Sequence, residues 1–375
     1  MRTILFLTGT RADYGKLKPL IDACIAAANF NVHLVVTGMH LEARYGLTVH
    51  DILKAEYPNV HTFSNQAGEA TMDRILAKTI EGLSAEIGNI KPDLIVVHGD
   101  RVEALAGAIV GALNNILVAH IEGGEVSGTI DELIRHSVSK LSHIHYVSNE
   151  TARRRLLQMG ERADSIFVIG SPDIDIMLSD NLPSLEEVKD HYDILFESFG
   201  ILLFHPVTTE SDRLAEQARN VVSAVVKSGV HFVVIYPNND KGTRLIFEAY
   251  KQLLPPERFR VFPSIKFEAF LTLMKHCRVI VGNSSAGVRE APYYGTPCIN
   301  VGTRQLNRVK VESVLNCGCD DVEILGRIRE VWGRRFKILT QFGTGNSAAK
   351  FLDTLIVGQL WEVCKQKQFV DMGEA

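Results

Sequence analysis

The chain is 375 residues long, 46% hydrophobic and 22% charged, and its 40 Lys and Arg against 44 Asp and Glu leave a formal charge of −4. That length favours two domains, and the composition excludes a disordered chain. The charge balance argues against nucleic acid or an anionic membrane as the main partner, and no apolar run reaches the roughly 18 residues needed to cross a bilayer.

In chain order, Ile4-Leu5-Phe6-Leu7 meets Gly9 and charged residues at once, the pattern of a first strand and not of a signal peptide. Apolar runs at 3–8, 31–37, 94–97, 116–121, 144–147 and 165–169 predict strands. Between them, 16–27, 72–87, 102–113 and 132–141 carry apolar residues at helical spacing. Strands apolar on both faces that alternate with helices predict a parallel sheet covered on each side. The rhythm stops at Gly170-Ser171-Pro172 and through the polar stretch 178–199, which places a domain boundary near 170–195. It restarts at 200–204, with further strands at 230–235, 259–262, 279–281 and 297–301 and helices at 212–227, 243–252, 267–276 and 287–294. The expected fold is α/β, with two Rossmann-like domains, 1–170 and 171–355, a cleft between them and ligands at the C-terminal strand ends. Residues 347–366 read as a long amphipathic helix crossing back to the first domain, and the closing segment 356–375 as a C-terminal helix packing toward that domain. Six scattered cysteines without Cys-x-x-Cys spacing read as reduced, mostly buried thiols of a cytoplasmic protein.

The first candidate site closes the first strand, where Thr8-Gly9-Thr10-Arg11-Ala12-Asp13-Tyr14-Gly15-Lys16 leads into a helix. Such a turn exposes backbone N–H groups at the positive end of a helix and suits an anion. It has neither G-x-G-x-x-G nor G-x-x-x-x-G-K-[ST], which excludes a conventional dinucleotide site and a P-loop. Arg11 and Lys16 are placed either to reach a phosphate or to stand as solvated charges.

A second strand ends in His98-Gly99-Asp100-Arg101, where Asp100 is either a functional charge or the N-cap of the next helix. A third ends in His120-Ile121-Glu122-Gly123-Gly124-Glu125, before Thr129-Ile130-Asp131-Glu132 and a helix that carries Arg135 and His136. Thr129 and Glu132 have capping-box spacing, and Asp131 and Arg135 are i,i+4 neighbours suited to a pair. Neither device explains Glu122, an acid at the end of an apolar strand beside two glycines that let another group approach the backbone closely. Asp100, Glu122 and Asp131 are therefore expected to converge. Clustered carboxylates raise one another's pKa values, as proton transfer near neutrality requires.

In the second half, His205 ends a strand before Pro206, and Tyr236-Pro237-Asn238-Asn239-Asp240 is a similar polar strand end. Gly282-Asn283-Ser284-Ser285 enters a helix that carries Glu290. Ser284 and Ser285 offer a diphosphate cradle, and Glu290 an acceptor for ribose hydroxyls, while an ordinary serine N-cap is the competing reading. Gly302-Thr303-Arg304-Gln305 adds one more guanidinium. His143-Ile144-His145 and Cys317-Gly318-Cys319 lack the further ligands a metal site needs, and Arg153-Arg154-Arg155 reads as a solvated helix face.

Together, Gly9-Thr-Arg-Ala-Asp-Tyr-Gly-Lys16, His98-Gly-Asp-Arg101, His120-Ile-Glu-Gly-Gly-Glu125, Asp131-Glu-x-Ile-Arg-His136, His205-Pro-Val-Thr-Thr209, Gly282-Asn-Ser-Ser-x-Gly-Val-Arg-Glu290 and Gly302-Thr-Arg-Gln305 resemble the UDP-N-acetylglucosamine 2-epimerases. Ala12-Asp13 and Asp100-Arg101 stand where the non-hydrolysing branch reads Pro-Glu and Asp-Thr, so the resemblance is closer to the hydrolysing branch. It implies a GT-B-type pair of domains, with the catalytic carboxylates in the first and UDP held mainly by the second. The implied reaction takes UDP-N-acetylglucosamine and water to N-acetylmannosamine and UDP, by anti elimination to a 2-acetamidoglucal and syn addition of water. Carried over by motif, Asp100, Glu122 and Asp131 are the catalytic carboxylates and His205 lies by the diphosphate. Arg11, Asp13, Lys16, Asn238, Ser284, Ser285, Glu290 and Arg304 are candidates for substrate binding, and Arg101 for the active-site anion. No cofactor and no metal are expected, and the resemblance suggests a homodimer or homotetramer in sialic acid biosynthesis. Other readings are the same chemistry on UDP-2,4-diacetamido-2,4,6-trideoxyglucose, a GT-B glycosyltransferase, and a non-catalytic nucleotide-sugar-binding protein. The transferase needs no base at carbon 2, and simple binding leaves so many ionisable strand ends unexplained.

Overall fold

The computed structural model describes residues 1–66 and 71–371, so residues 372–375 of the closing segment lie outside the described residues. The chain divides into two compact units, the first comprising Met1–Glu125, Asp131–Ser179 and Gln341–Ala375, the second Val126–Ile130 and Asp180–Thr340.

The first unit is built on β1 (Arg2–Thr8), β2 (Phe30–Val36), β3 (Val60–Thr62), β4 (Leu94–His98), β5 (Leu117–Ile121), β6 (Ile144–Val147) and β7 (Ile166–Val168). These strands pair in parallel in the order β3-β2-β1-β4-β5-β6-β7. Ile4, Leu5 and Phe6 of β1 and Leu94 to Val97 of β4 are fully buried, which is why the central strands read as unbroken apolar runs. Short, polar β3 at the sheet edge has no such signal, and sequence patterning missed it. Strand order reverses between β1 and β4, and ligands of doubly wound sheets bind at the C-terminal strand ends beside such a reversal.

The second unit repeats the plan with β8 (Phe199–Leu203), β9 (His231–Ile235), β10 (Phe259–Phe262), β11 (Ile280–Gly282), β12 (Cys298–Val301) and β13 (Val314–Cys317). The order is β10-β9-β8-β11-β12-β13, again parallel, with the reversal between β8 and β11. Gly282 closes β11 at φ 138, where a Cβ would stand 2.0 Å from the Leu203 carbonyl oxygen, so only glycine fits there. The helix expected at 287–294 is shorter, Ser285–Arg289, and passes into a 3₁₀ turn at Ala291–Tyr294, because Pro292 has no N–H for a continuing α-helix.

Two boundaries differ from expectation. Residues 171–179 and 341–355 belong to the first unit. There Ser171 N donates to Phe342 O at 2.6 Å, and Asp175 caps the helix Ser347–Val357 by accepting from Ser347 N at 2.9 Å and Ala348 N at 2.8 Å. Phe351 of that helix is fully buried, with its ring 6.3 Å from Phe6 and 4.7 Å from Tyr146. The helix therefore returns to the first sheet, but it ends at Val357 instead of residue 366, because Gly358 takes a left-handed conformation (φ 84) that stops it. No helix among the described residues is long and apolar enough to cross a membrane.

Candidate active site

Parallel register pairs His98 of β4 with Ile121 of β5, so Gly99-Asp100 and Glu122 leave the sheet side by side. Glu122 has a left-handed backbone (φ 68), which in a residue other than glycine costs about 1–3 kcal/mol and persists only where the surroundings enforce it. Its side chain is buried. Oε1 accepts from Ser171 Oγ at 2.6 Å and from Lys16 Nζ at 3.2 Å, and Oε2 lies 3.5 Å from His98 Nε2. Lys16 Nζ also lies 3.7 Å from the buried Asp173. Lys16 thus stands inside the unit beside two carboxylates, which excludes the solvated-charge reading of the sequence.

Asp13 is also turned inward. Its Oδ1 accepts from Thr8 Oγ1 at 2.7 Å and Thr10 N at 2.9 Å, its Oδ2 from Gly9 N at 3.0 Å, and Thr10 Oγ1 accepts from Asp13 N at 3.2 Å. This is a capping box for the helix Arg11–Ala26, and it takes the carboxylate that was expected to face substrate. Arg11 pairs with Asp51 at 2.5 Å.

Asp100 pairs with Arg135, whose guanidinium is buried and also donates to Glu125 O at 3.3 Å. Burial opposes the charge on Arg135, but Asp100 and then Glu125 outweigh it and hold the pKa above the ordinary arginine value, with Asp131 a smaller contributor. Arg135 thus makes a long-range pair with Asp100 that its i,i+4 spacing from Asp131 did not suggest. Arg101, not Asp100, occupies the N-cap position of the helix Val102–Leu113, and its Nε lies 3.4 Å from Glu103.

His120 supports the same turn from below. It is fully buried between Ser139 Oγ at 3.0 Å and Gly99 O at 2.8 Å, and burial, only partly offset by that carbonyl, pushes its pKa down to about 3. A neutral ring that donates from Nε2 to Gly99 O holds the segment bearing Asp100. The close approach expected at Gly123 and Gly124 comes from the protein itself. A Cβ on Gly124 would stand 2.3 Å from Ala152 O, and one on Gly123 2.9 Å from Ser139 Oγ.

In the second unit, His205 follows β8 and Asn283 follows β11. Asn283 Oδ1 accepts from His205 N at 2.7 Å, and its Nδ2 donates to His205 O at 2.9 Å, so one amide clamps the histidine backbone. His205 Nδ1 accepts from Asn238 N at 3.0 Å, which leaves the neutral ring with its proton on Nε2. Asn283 O accepts from Arg304 Nη1 at 3.2 Å and Gln305 Nε2 at 3.3 Å, which brings the Arg304 segment to the same switch point. The side chain of Asn238 donates to Asp240 at 2.5 Å. Ser284 is the N-cap of Ser285–Arg289, accepting from Ala286 N at 3.3 Å, and Glu290 is buried at the other end of that helix.

Sequence reasoning singled out the strand ends but not Ser171, Asp173, Arg135 or Asn283 as functional side chains. Ser171 lay in a Gly-Ser-Pro turn that read as punctuation. Asn283 and His98 stood inside recognised motifs without a role. Among the described residues, no group of three or more His, Cys, Asp or Glu is arranged to hold a metal ion. His143 accepts from Val118 N at 3.1 Å and meets Lys365 O at 3.1 Å, and His145 meets Glu161 at 3.0 Å.

The family model for UDP-N-acetylglucosamine 2-epimerase matches residues 22–356. The chain is 46% identical to the UDP-N-acetylglucosamine 2-epimerase of Neisseria meningitidis serogroup B, over 99% of this chain and 100% of that one. It is 30% identical to the UDP-N,N'-diacetylbacillosamine 2-epimerase (hydrolyzing) of Legionella pneumophila, over 93% and 94% of the two chains. Among solved structures, Methanocaldococcus jannaschii UDP-GlcNAc 2-epimerase in complex with UDP-GlcNAc and UDP superposes with a TM-score of 0.80 at 22% identity, covering 96% of this chain and 100% of that one, and so shares the two-domain α/β fold. With paired carboxylates at one switch point, a clamped histidine at the other and motifs matched along almost the whole length, the chain belongs to the UDP-N-acetylglucosamine 2-epimerase family.

Proposed function

We propose that this chain is the hydrolysing form of the 2-epimerase, converting UDP-N-acetylglucosamine and water to N-acetylmannosamine and UDP. The observation that carries the reading is Glu122, a buried carboxylate on a strained left-handed backbone, tethered through Oε1 and emerging beside Asp100. Ala12-Asp13 and Asp100-Arg101, the forms that separate the two branches by motif, support hydrolysis. So does the similarity to the Legionella 2-epimerase, whose name states the hydrolysing reaction.

The hydrogen on carbon 2 is weakly acidic, so its removal is coupled to departure of UDP. As the C1–O bond lengthens, carbon 1 gains oxocarbenium character, which nearby carboxylates stabilise and which acidifies carbon 2. Glu122 takes that proton, the C–H electrons form the C1–C2 double bond, and UDP leaves. Asp100, aligned by Arg135, supports the developing positive charge. Asp131 is the remaining carboxylate for the second step, in which a proton adds to carbon 2 and water oxygen to carbon 1 on the same face. His205, with its proton on Nε2, serves the leaving diphosphate, and Arg11, Arg101, Asn238, Ser284, Ser285, Glu290 and Arg304 are the candidates for holding UDP and the active-site anion. The working protein is assigned as a cytoplasmic homodimer or homotetramer that supplies sialic acid synthesis.

Incubation with UDP-N-acetylglucosamine in heavy water tests the reading. Free N-acetylmannosamine with deuterium at carbon 2 is expected. Release of UDP-N-acetylmannosamine would instead identify the non-hydrolysing reaction, and Glu122→Gln with near-full turnover would remove Glu122 from the mechanism. The 30% identity to the Legionella enzyme favours one second reading, the same chemistry on a diacetamido-trideoxy sugar, and side-by-side rates on the two nucleotide sugars decide between them.

A further inference from the structure

We propose that His98 is a positioning residue for Glu122, donating from Nε2 to Oε2 so that the carboxylate presents a fixed lone pair to carbon 2; this rests on the reading of Glu122 as the base. The two oxygens of Glu122 have different surroundings. Oε1 is tied to Ser171 and Lys16, while Oε2 faces His98 Nε2 at 3.5 Å. His98 is the last residue of β4, so its backbone is held by the sheet, and its side chain is only 8% exposed. Nε2 is sealed from solvent and makes no hydrogen bond among the described residues. A buried donor left unsatisfied is costly, and natural proteins retain one where a partner arrives during function. The separation exceeds a good N–H···O bond by only a few tenths of an ångström (about 2.7–3.2 Å is usual), and catalytic hydrogen bonds often tighten only when substrate binds. A donor on Oε2, added to those on Oε1, fixes the orientation of the carboxylate, which is what precise proton abstraction from carbon requires.

Glutamine and asparagine at position 98 separate a donor role from a packing role. The amide nitrogen of glutamine falls near the position of imidazole Nε2, whereas that of asparagine falls near Nδ1. His98→Asn is expected to lower kcat roughly 10- to 100-fold, the range for losing a hydrogen bond to a charged group, with KM changed by less than about threefold. His98→Gln is expected to recover most of that loss. In the Glu122→Gln background, His98→Asn is expected to add almost nothing, because the two groups act as one unit. The proposal is overturned by His98→Asn with wild-type kcat, by Asn and Gln variants equally impaired, or by losses that multiply with Glu122→Gln. Full activity of Glu122→Gln alone would instead overturn the assignment of the base, and this inference with it.

Discussion

Lys16 and Glu122, 106 residues apart in the chain, meet in a buried ion pair of 3.2 Å. Lys16 comes from the first helix after β1 and Glu122 from the end of β5, and the pair holds the carboxylate at the switch point of the first sheet while Asp173 shares the same ammonium. Lys16→Met removes an ammonium that the buried Glu122 and Asp173 share. Breaking such a pair from one side typically costs about 3–5 kcal/mol. A marked drop in the denaturation midpoint together with loss of turnover is expected, and a variant as stable as wild type would show that the buried carboxylates do not need the ammonium.

Asp100 and Arg135 are expected to behave as one unit. Asp100→Asn weakens the anchor of a buried guanidinium, and Arg135→Gln leaves the carboxylate without its aligning partner. Each single change should reduce turnover strongly, and the double variant should lose far less than the product of the two effects, a coupling of about 0.5–3 kcal/mol. Steady-state rates on the four proteins of the cycle measure it, and strict additivity would break the proposed link.

Two buried histidines set an acid limit on stability. Burial pushes His120 from 6.5 down to about 3 and His40 from 6.5 down to about 4. Below the unfolded value of 6.5 the unfolded chain therefore binds protons that the folded chain refuses. Stability should fall as pH drops from 6.5 toward 4, because protonation favours the unfolded state. His40→Gln with His120→Gln is expected to be less stable at neutral pH, having lost hydrogen bonds to Thr48 and Gly99, yet to show a shallower decline across that window. Thermal midpoints against pH provide the check.

The returning helix Ser347–Val357 should be integral to the first unit. Phe351→Ala removes a fully buried ring packed on Phe6 and Tyr146 and should cost about 3–5 kcal/mol. Asp175→Ala removes only a cap and should cost about 0.5–2 kcal/mol. Urea unfolding of both variants tests the order, and a larger loss for Asp175→Ala would contradict it.

Much of this was legible from local pattern. Apolar runs located β1, β4, β5 and β8 because those strands are buried on both faces, and the helix expected at 267–276 is the helix Phe267–His276. β3 and β13 were missed, since both are short and carry no aromatic residue, whereas the equally short edge strands β7 and β10 were located and hold phenylalanines. The closing helix was drawn too long because amphipathic spacing continues past Gly358, whose left-handed backbone ends it.

The amino-acid sequence alone determined the α/β class, the two sheets, the family and the strand ends where charge collects, because periodicity, turn chemistry and motif spacing are properties of neighbouring residues. The tertiary structure alone decided which of those charges meet. Parallel crossovers bring β5 beside β4 and the turn at Ser171 against Glu122, and so determine that Lys16 neutralises Glu122, that Asp100 takes Arg135 and that Asp13 is consumed by its own helix cap. Such pairings depend on strand order across more than 100 residues of chain, and no local pattern encodes that order.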